Sequence, residues 1–154
     1  MAAQKNLKPL DENWERALAV VAHPDDLEYG AASAVARWTS QGKQVNYLMV
    51  TRGEAGIDSM PPEETGPLRE EEERISAGLV GVKTVCISGS PQADHAVDVT
   101  DFLDKGIASL KAHKAYIQNL SDDFDPEAFL RNNASATGKR FGCQYAVGFE
   151  VMKI

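Results

Sequence analysis

The chain contains few cysteines and no long apolar segment. Its only two cysteines, Cys86 and Cys143, cannot form a Cys-x-x-Cys motif, and we expect both to be reduced and structural, with a disulfide as the alternative. The longest apolar run, 17–22, is much shorter than the roughly 20 residues that span a bilayer. The first residues are polar and lack the apolar region of a signal peptide, so we expect a cytoplasmic protein.

Clustered basic residues are also missing. The 154 residues include 16 Lys and Arg and 23 Asp and Glu, which gives a net charge of −7. Nucleic-acid phosphates are bound by grouped Lys and Arg, so the sequence argues against a broad nucleic-acid-binding surface and favours a small neutral or cationic substrate. No internal repeat or low-complexity tract occurs. With 43% hydrophobic residues, we expect residues 1–154 to form a single globular domain.

The first half of the chain alternates predicted strands with predicted helices. The apolar patterns predict strands at 15–22, 44–51 and 84–88, helices at 30–41 and 67–80, and a proline-containing loop at 61–64. Such alternation is typical of parallel sheets with right-handed crossovers. The predicted fold class is therefore α/β, a Rossmann-like, mostly parallel sheet that is flanked by helices and has three or more parallel strands at its core.

The second half has a weaker pattern. It predicts a loop at 91–97, helices at 101–120 and from 125–126 to about 136, and a closing strand at 145–154. The acidic segment 122–125 lacks the glycine and the terminal Glu of a calcium loop, so we interpret it as a polar connection. The glutamate run 70–73 is interpreted as a solvated first turn of its helix, where the helix dipole favours negative charge.

The residues that point most directly to chemistry follow the first predicted strand. His23, Asp25 and Asp26 place one imidazole and two carboxylates there, and Pro24 stiffens the backbone between them. His23 and Asp26 are three residues apart and can converge on one divalent ion if a helix begins near Asp26, which leaves Asp25 free for another role. Catalytic zinc usually has three protein ligands, so a third must come from elsewhere in the chain.

Several segments, in the same order, resemble the PIG-L/LmbE-like family of zinc-dependent de-N-acetylases. They are AHPDDLE at 22–28, VTRGEAG at 50–56, REEE at 69–72 leading to VGV at 80–82, HAVDVTD at 95–101 and SLKAH at 109–113. The resemblance implies a shortened LmbE-like fold. It also implies a hydrolase that uses metal-activated water to remove the N-acetyl group from an N-acetylglucosaminyl-type substrate.

The resemblance also implies roles for individual residues. His23 and Asp26 would bind the catalytic Zn²⁺ or another divalent metal, Asp25 would be the general base, and Arg69 would help to hold an N-acetylated sugar conjugate. These roles agree with general chemistry, since a metal lowers the pKa of its bound water toward about 7 and a nearby carboxylate can accept the proton. Glu28 and Glu54 either orient the site from behind or form surface salt bridges.

Members of this family have a further strand-helix layer in the middle, which supplies the third metal ligand and a second histidine. Here the chain suggests an internal deletion near 83–90. His95 is the better of the two spare histidines as a replacement ligand, although the residues after it match the later family segment, and His113 is interpreted as a partly buried helical histidine. An alternative is therefore a catalytically inactive, shortened relative that acts as a binding or oligomerisation module. A third possibility is a shortened gene product or an engineered deletion, which would be stable only if another copy in a homo-oligomer covered the exposed sheet edge.

Overall fold

The computed structural model describes residues 8–88, 90–113, 117 and 124–154. Its elements follow one another as β1 (Arg16–Val21), α1 (Ala32–Ser40), β2 (Gln44–Met49), α2 (Pro62–Leu79), β3 (Thr84–Ile87), β4 (His95–Asp98), α3 (Leu103–Lys111), α4 (Pro126–Phe141) and β5 (Ala146–Lys153). None of the described helices is both long enough and apolar enough to cross a membrane.

The strands form one mixed sheet in the order β1-β2-β3-β5-β4. β1, β2 and β3 pair in parallel, while β5 runs antiparallel to both β3 and β4. Four of the five described strands therefore point the same way. This confirms the predicted α/β class with a mostly parallel sheet.

The main core lies between this sheet and the helices α1 and α2. β1, β2 and β3 follow one another across the sheet in a single direction. When the crossovers between such strands are right-handed, the connecting helices all lie on one face of the sheet. The buried residues shared by the two layers are Val35, Val45, Tyr47, Met49, Ala77, Val82, Val85 and Ile87. Since every second strand residue points to this face, the alternating burial of β2 and β3 follows directly.

A smaller core lies under the second half of the chain. Leu103 and Ile107 of α3 pack against Ala134 of α4, with Tyr145 beside them. α4 packs on β5, on the same face of the sheet as α1 and α2, and Ala146 of β5 is buried there. The helices described here thus cover the sheet from one side, whereas the sequence predicted a sheet flanked by helices.

The predicted strands and helices of the first half are confirmed, with one error before α2. Residues 61–64 were predicted to form a loop, but α2 begins at Pro62. A proline suits the first position of a helix because its missing N–H has no partner there in any case. The helix continues through Pro67, so the prolines do not separate a loop from a helix as predicted.

The second half differs more from the prediction. The loop predicted at 91–97 is wrong, because residues 95–98 form β4 through pairing with the distant β5. α3 ends at Lys111, and the predicted helix beyond it falls partly outside the described residues. α4 extends past residue 136 to Phe141, where Gly142 ends it with a φ of 92°. The closing strand is confirmed, and both cysteines are free, as expected.

Candidate functional site

The candidate site is formed by the loops that follow β1 and β2 at the carboxyl edge of the parallel strands. The two loops are joined by the backbone N–H of Thr51, which donates to the carbonyl of Ala22 at 3.0 Å. The Thr51 hydroxyl donates to the same carbonyl at 3.3 Å and accepts the N–H of Gly53 at 3.1 Å. Ligand sites of open α/β sheets commonly lie at this edge.

His23 and Asp26 lie close together, as the sequence predicted, but for a different reason. No helix begins near Asp26, since α1 starts at Ala32. Instead, the Asp26 carboxylate folds back and accepts the backbone N–H groups of His23 at 3.0 Å and Ala22 at 2.9 Å. These bonds, with that of His23 first, lower the pKa of Asp26 and hold the carboxylate in its ionised form.

The two side chains approach the separation expected of ligands to a single ion. His23 Nδ1 and Asp26 Oδ2 are 3.8 Å apart, and both side chains are partly exposed. Two donors at zinc distances in a tetrahedral arrangement would be about 3.4 Å apart. The spacing is therefore close to that of two ligands of one ion, but Asp26 Oδ2 already accepts both backbone N–H groups, so a divalent ion would have to be bound by Oδ1 of the same carboxylate.

Among the residues that the structure describes, no third protein ligand lies near this pair. Within the described ranges, no group of three or more His, Cys, Asp and Glu side chains is arranged to hold a metal. His95 begins β4, which is separated from β1 by four strand spacings or about 19 Å, and its Nδ1 lies 2.8 Å from Asp94 Oδ1. His95 is thus too far away to complete the site at His23, and His113 lies just beyond α3.

Asp25 adopts an uncommon backbone conformation at the centre of the site. Its φ is 82°, in the left-handed region that residues other than glycine seldom occupy. Such conformations persist where surrounding contacts hold them, and they are frequent at functional sites. Here the contact comes from Arg69, whose Nη2 donates to Asp25 Oδ2 at 2.6 Å and to the carbonyl of Pro24 at 2.7 Å.

Arg69 connects both loops to α2. Besides its bonds to the β1 loop, Nη1 donates to the carbonyl of Gly53 at 3.2 Å, and the residue is only 8% exposed. Glycines make this approach possible. If Gly53 carried a side chain, its Cβ would lie 2.4 Å from Arg69 Nη1, and the φ of +77° at Gly53 favours glycine as well. A Cβ at Gly56 would lie 2.1 Å from the same nitrogen. The buried guanidinium therefore needs the glycine-containing loop beside it.

These groups line an open cleft of about 350 Å³. Its lining residues are His23, Asp25, Thr51, Gly53, Glu54, Ala55, Gly56 and Arg69. A cleft of this size can hold a small polar ligand. His23, Asp25 and Arg69, which the sequence singled out, thus line one cavity, whereas Asp26 is not among the lining residues.

One buried carboxyl group, that of Glu73, lies close to Asp25 and to the exposed Glu28. Glu73, one turn after Arg69 on α2, is 4% exposed, and burial together with the charges of Glu28 and Asp25 raises its pKa to about 7. Glu28 accepts a hydrogen bond from the Ser76 hydroxyl at 2.5 Å. Burial and the charges of Glu28 and Glu73 also raise the pKa of Tyr47, whose hydroxyl has no hydrogen-bond partner among the described residues.

The interpretation of residues 70–73 as a solvated turn is wrong for two of the four glutamates. Glu73 is buried behind the site, and Glu70 forms a largely buried ion pair with Arg52 of the β2 loop. The signal was present in the spacing, because Arg69, Glu73 and the core residue Ala77 recur every four residues and therefore share one helix face. Glu71 and Glu72 are exposed, as predicted.

Comparison with known proteins identifies the family of the chain. The family model described as "PIG-L: GlcNAc-PI de-N-acetylase" matches residues 18–131, about three quarters of the 154 residues. The chain belongs to the PIG-L family. The matched range contains both loops of the cleft and the whole of α2, and it confirms the resemblance noted in the sequence.

A curated relative matches a shorter part of this PIG-L chain. The diacetylchitobiose deacetylase of Thermococcus kodakarensis (strain ATCC BAA-918 / JCM 12380 / KOD1) is 32% identical over 89 residues, which cover 56% of this chain and 30% of that protein. The chain thus spans about a third of the length of this relative.

Two solved structures are similar at lower identity. The N,N'-diacetylchitobiose deacetylase from Pyrococcus horikoshii, complexed with its inhibitor MPG, has 19% identity and a TM-score of 0.43, and the match covers 90% of this chain and 84% of that one. GalB, the 4-carboxy-2-hydroxymuconate hydratase from Pseudomonas putida KT2440, has 14% identity and a TM-score of 0.42, with 92% and 97% covered.

Proposed function

We propose that this PIG-L chain is a metal-dependent hydrolase that removes the N-acetyl group from an N-acetylglucosaminyl-type sugar conjugate. One observation carries the proposal: an open cleft at the carboxyl edge of the sheet is lined by His23, Asp25 and Arg69. The family description and the deacetylase name of the curated relative support the reaction class. The net charge of −7 is compatible with a neutral sugar substrate.

His23 and Asp26 would hold the divalent ion, for which we propose Zn²⁺. The fit rests on their 3.8 Å separation and on the two backbone N–H groups that fix the Asp26 carboxylate. When bound, a divalent ion polarises a substrate carbonyl and makes water a nucleophile near neutral pH. A third ligand would have to come from outside the described residues or from the substrate itself.

Asp25 is proposed as the general base. Its carboxylate reaches the cleft, and the ion pair with Arg69 at 2.6 Å fixes its orientation while leaving the side chain about half exposed. A carboxylate placed in this way can accept a proton from an attacking water. Arg69 donates hydrogen bonds to three oxygen atoms of the protein, so its main role is to hold the two loops in position. Arg69 also lines the cleft, and it would contact the substrate there.

A second candidate is an inactive family relative that binds a sugar through the same cleft. The observation that favours it is the lack of a third His, Cys, Asp or Glu beside His23 and Asp26 in the described part of the chain. Two protein ligands hold a metal less tightly than the three that are usual for catalytic zinc. The cleft and Arg69 would then serve binding alone.

Acetate release distinguishes the two candidates. Purified chain supplied with Zn²⁺ is incubated with N-acetylglucosaminyl conjugates, and free acetate is measured. We expect release by the wild-type chain and none by Asp25→Ala, while Asp58→Ala, a change at an exposed carboxylate outside the cleft lining, keeps the activity. Sugar binding without acetate release in the wild type would favour the inactive binding module instead.

A further inference from the structure

A second hollow lies between the end of α4 and the strands β4 and β5. It has a volume of about 280 Å³ and shares no lining residue with the cleft at the end of β1. Pockets for small molecules begin at roughly 300 Å³, so the hollow has the size for a ligand of one ring. It is lined by Ala93, Asp94, His95, Ala96, Thr137, Arg140, Phe141 and Gly148.

The last turns of α4 supply an aromatic ring and a cation to this hollow. Thr137, Arg140 and Phe141 are spaced by three and four residues and therefore share one face of the helix. Phe141 is 52% exposed, so part of its ring is open to a ligand. Arg140 Nη2 donates to the carbonyl of Ala93 at 2.9 Å, which holds the guanidinium against the loop before β4. Arg140 forms no ion pair with any residue that the structure describes.

The strand side of the hollow supplies a carboxylate and an imidazole that are held by hydrogen bonds. Asp94 Oδ1 accepts the backbone N–H of Val151 at 3.0 Å and lies 2.8 Å from His95 Nδ1. These two contacts, with that of His95 first, lower the pKa of Asp94 and keep it ionised. Because a carboxylate only accepts, it keeps the proton of a neutral imidazole on Nδ1 and leaves Nε2 as an acceptor.

Small residues keep the space between the helix and the strands free. A Cβ at Gly148 of β5 would lie 3.0 Å from the Cβ of Ala93 and 3.5 Å from Cγ2 of Thr137. Ala96 is the partner of Gly148 on the neighbouring strand β4. Larger side chains at these positions would fill the hollow, so its volume depends on the small residues of the loop and the two strands.

We propose that this hollow binds a neutral pyranose ring, at a site separate from the cleft at the end of β1. The charges of Arg140 and Asp94 are opposite, so Asp94 would repel an anion and Arg140 would repel a cation. A neutral sugar avoids both penalties, because its hydroxyls can accept from the guanidinium and donate to the carboxylate or to His95 Nε2. The apolar face of the ring would pack against Phe141.

NMR of the ¹⁵N-labelled chain tests the site. We expect methyl β-D-glucopyranoside to shift the backbone amide signals of Ala96 and Gly148, and inorganic phosphate to leave both in place. Gly53 and Gly56 report separately on the cleft, so failure of the reaction proposed there does not affect this result. A saturable shift of Ala96 and Gly148 with phosphate would indicate an anion site and overturn the proposal. The absence of a shift at these residues with the glucoside would overturn it as well.

Four variants test the aromatic ring and the cation. Phe141→Ala should weaken glucoside binding about fivefold, whereas Phe129→Ala, at a 50% exposed position on the same helix but outside the hollow, should bind as the wild type does. Arg140→Gln should also weaken binding, and its exposed neighbour provides the control Lys139→Gln. The amide spectrum shows whether each variant is folded. Wild-type affinity in folded Phe141→Ala or Arg140→Gln would contradict the proposed site.

Discussion

Glu73 is a buried carboxyl group, and replacing it with glutamine should change stability in a way that depends on pH. Burial raises its pKa from the ordinary value of 4.5 to about 7. At pH values between 4.5 and about 7, Glu73 is mostly protonated in the folded chain and mostly ionised in the unfolded chain. Stability of the wild type should therefore fall as the pH rises from about 4.5 to 7 and then level off.

The size of the effect follows from the same two values. The raised pKa corresponds to about 3 kcal/mol, since each unit is worth about 1.4 kcal/mol. Glutamine resembles the protonated carboxyl group and has no proton to lose. We expect Glu73→Gln to match the wild type near pH 4.5 and to be more stable by about 3 kcal/mol at pH 8.

Urea unfolding of both chains at several pH values measures this difference. Other groups titrate over the same range, but they are common to both chains and cancel when the variant is compared with the wild type. Glu72→Gln is the matched control, because Glu72 is the neighbouring residue and is exposed on α2. A stability difference for Glu73→Gln that is the same at pH 4.5 and pH 8 would refute a buried, protonated Glu73.

Two further predictions concern the cleft. Gly53→Ala should lower the free energy of unfolding in urea by more than about 1 kcal/mol, because the added Cβ would lie 2.4 Å from Arg69 Nη1 and the residue has a positive φ. Gly106 lies within α3, and a Cβ added there would meet no other atom within 4 Å. Gly106→Ala should therefore raise the free energy of unfolding by about 0.5–1 kcal/mol. Asp25→Ala should keep bound zinc but lose acetate release, and Asp26→Ala should lose both. Equal loss of zinc in the two aspartate variants would mean that their roles are exchanged.

The first loop of the site could be predicted because its signal is local. His23 and Asp26 are three residues apart at the end of an apolar strand, and the structure places their side chains 3.8 Å from each other. The cause differs, because the approach comes from backbone N–H groups that bind Asp26 and not from a helix. Short-range spacing predicted the proximity, while the hydrogen bonds that produce it had no signature in the sequence.

Features that depend on contacts between distant segments were harder to predict. The residues of β4 have no local sequence pattern that predicts a strand. They form one because they pair with β5, which lies far away in the sequence. Glu73 looked solvated within a run of four glutamates, and its burial comes from the packing of α2 against the β1 loop. The bare sheet face follows from strand order, which residue patterns alone did not determine.

Zinc content after exhaustive dialysis tests most directly whether His23 and Asp26 hold a divalent ion. Metal is measured by mass spectrometry on wild-type chain that has been loaded with Zn²⁺, dialysed and checked for folding, beside His23→Ala treated in the same way. We expect one zinc per wild-type chain and almost none in the variant. Folded wild-type chain without zinc, or equal zinc in both proteins, would contradict the metal site at the end of β1.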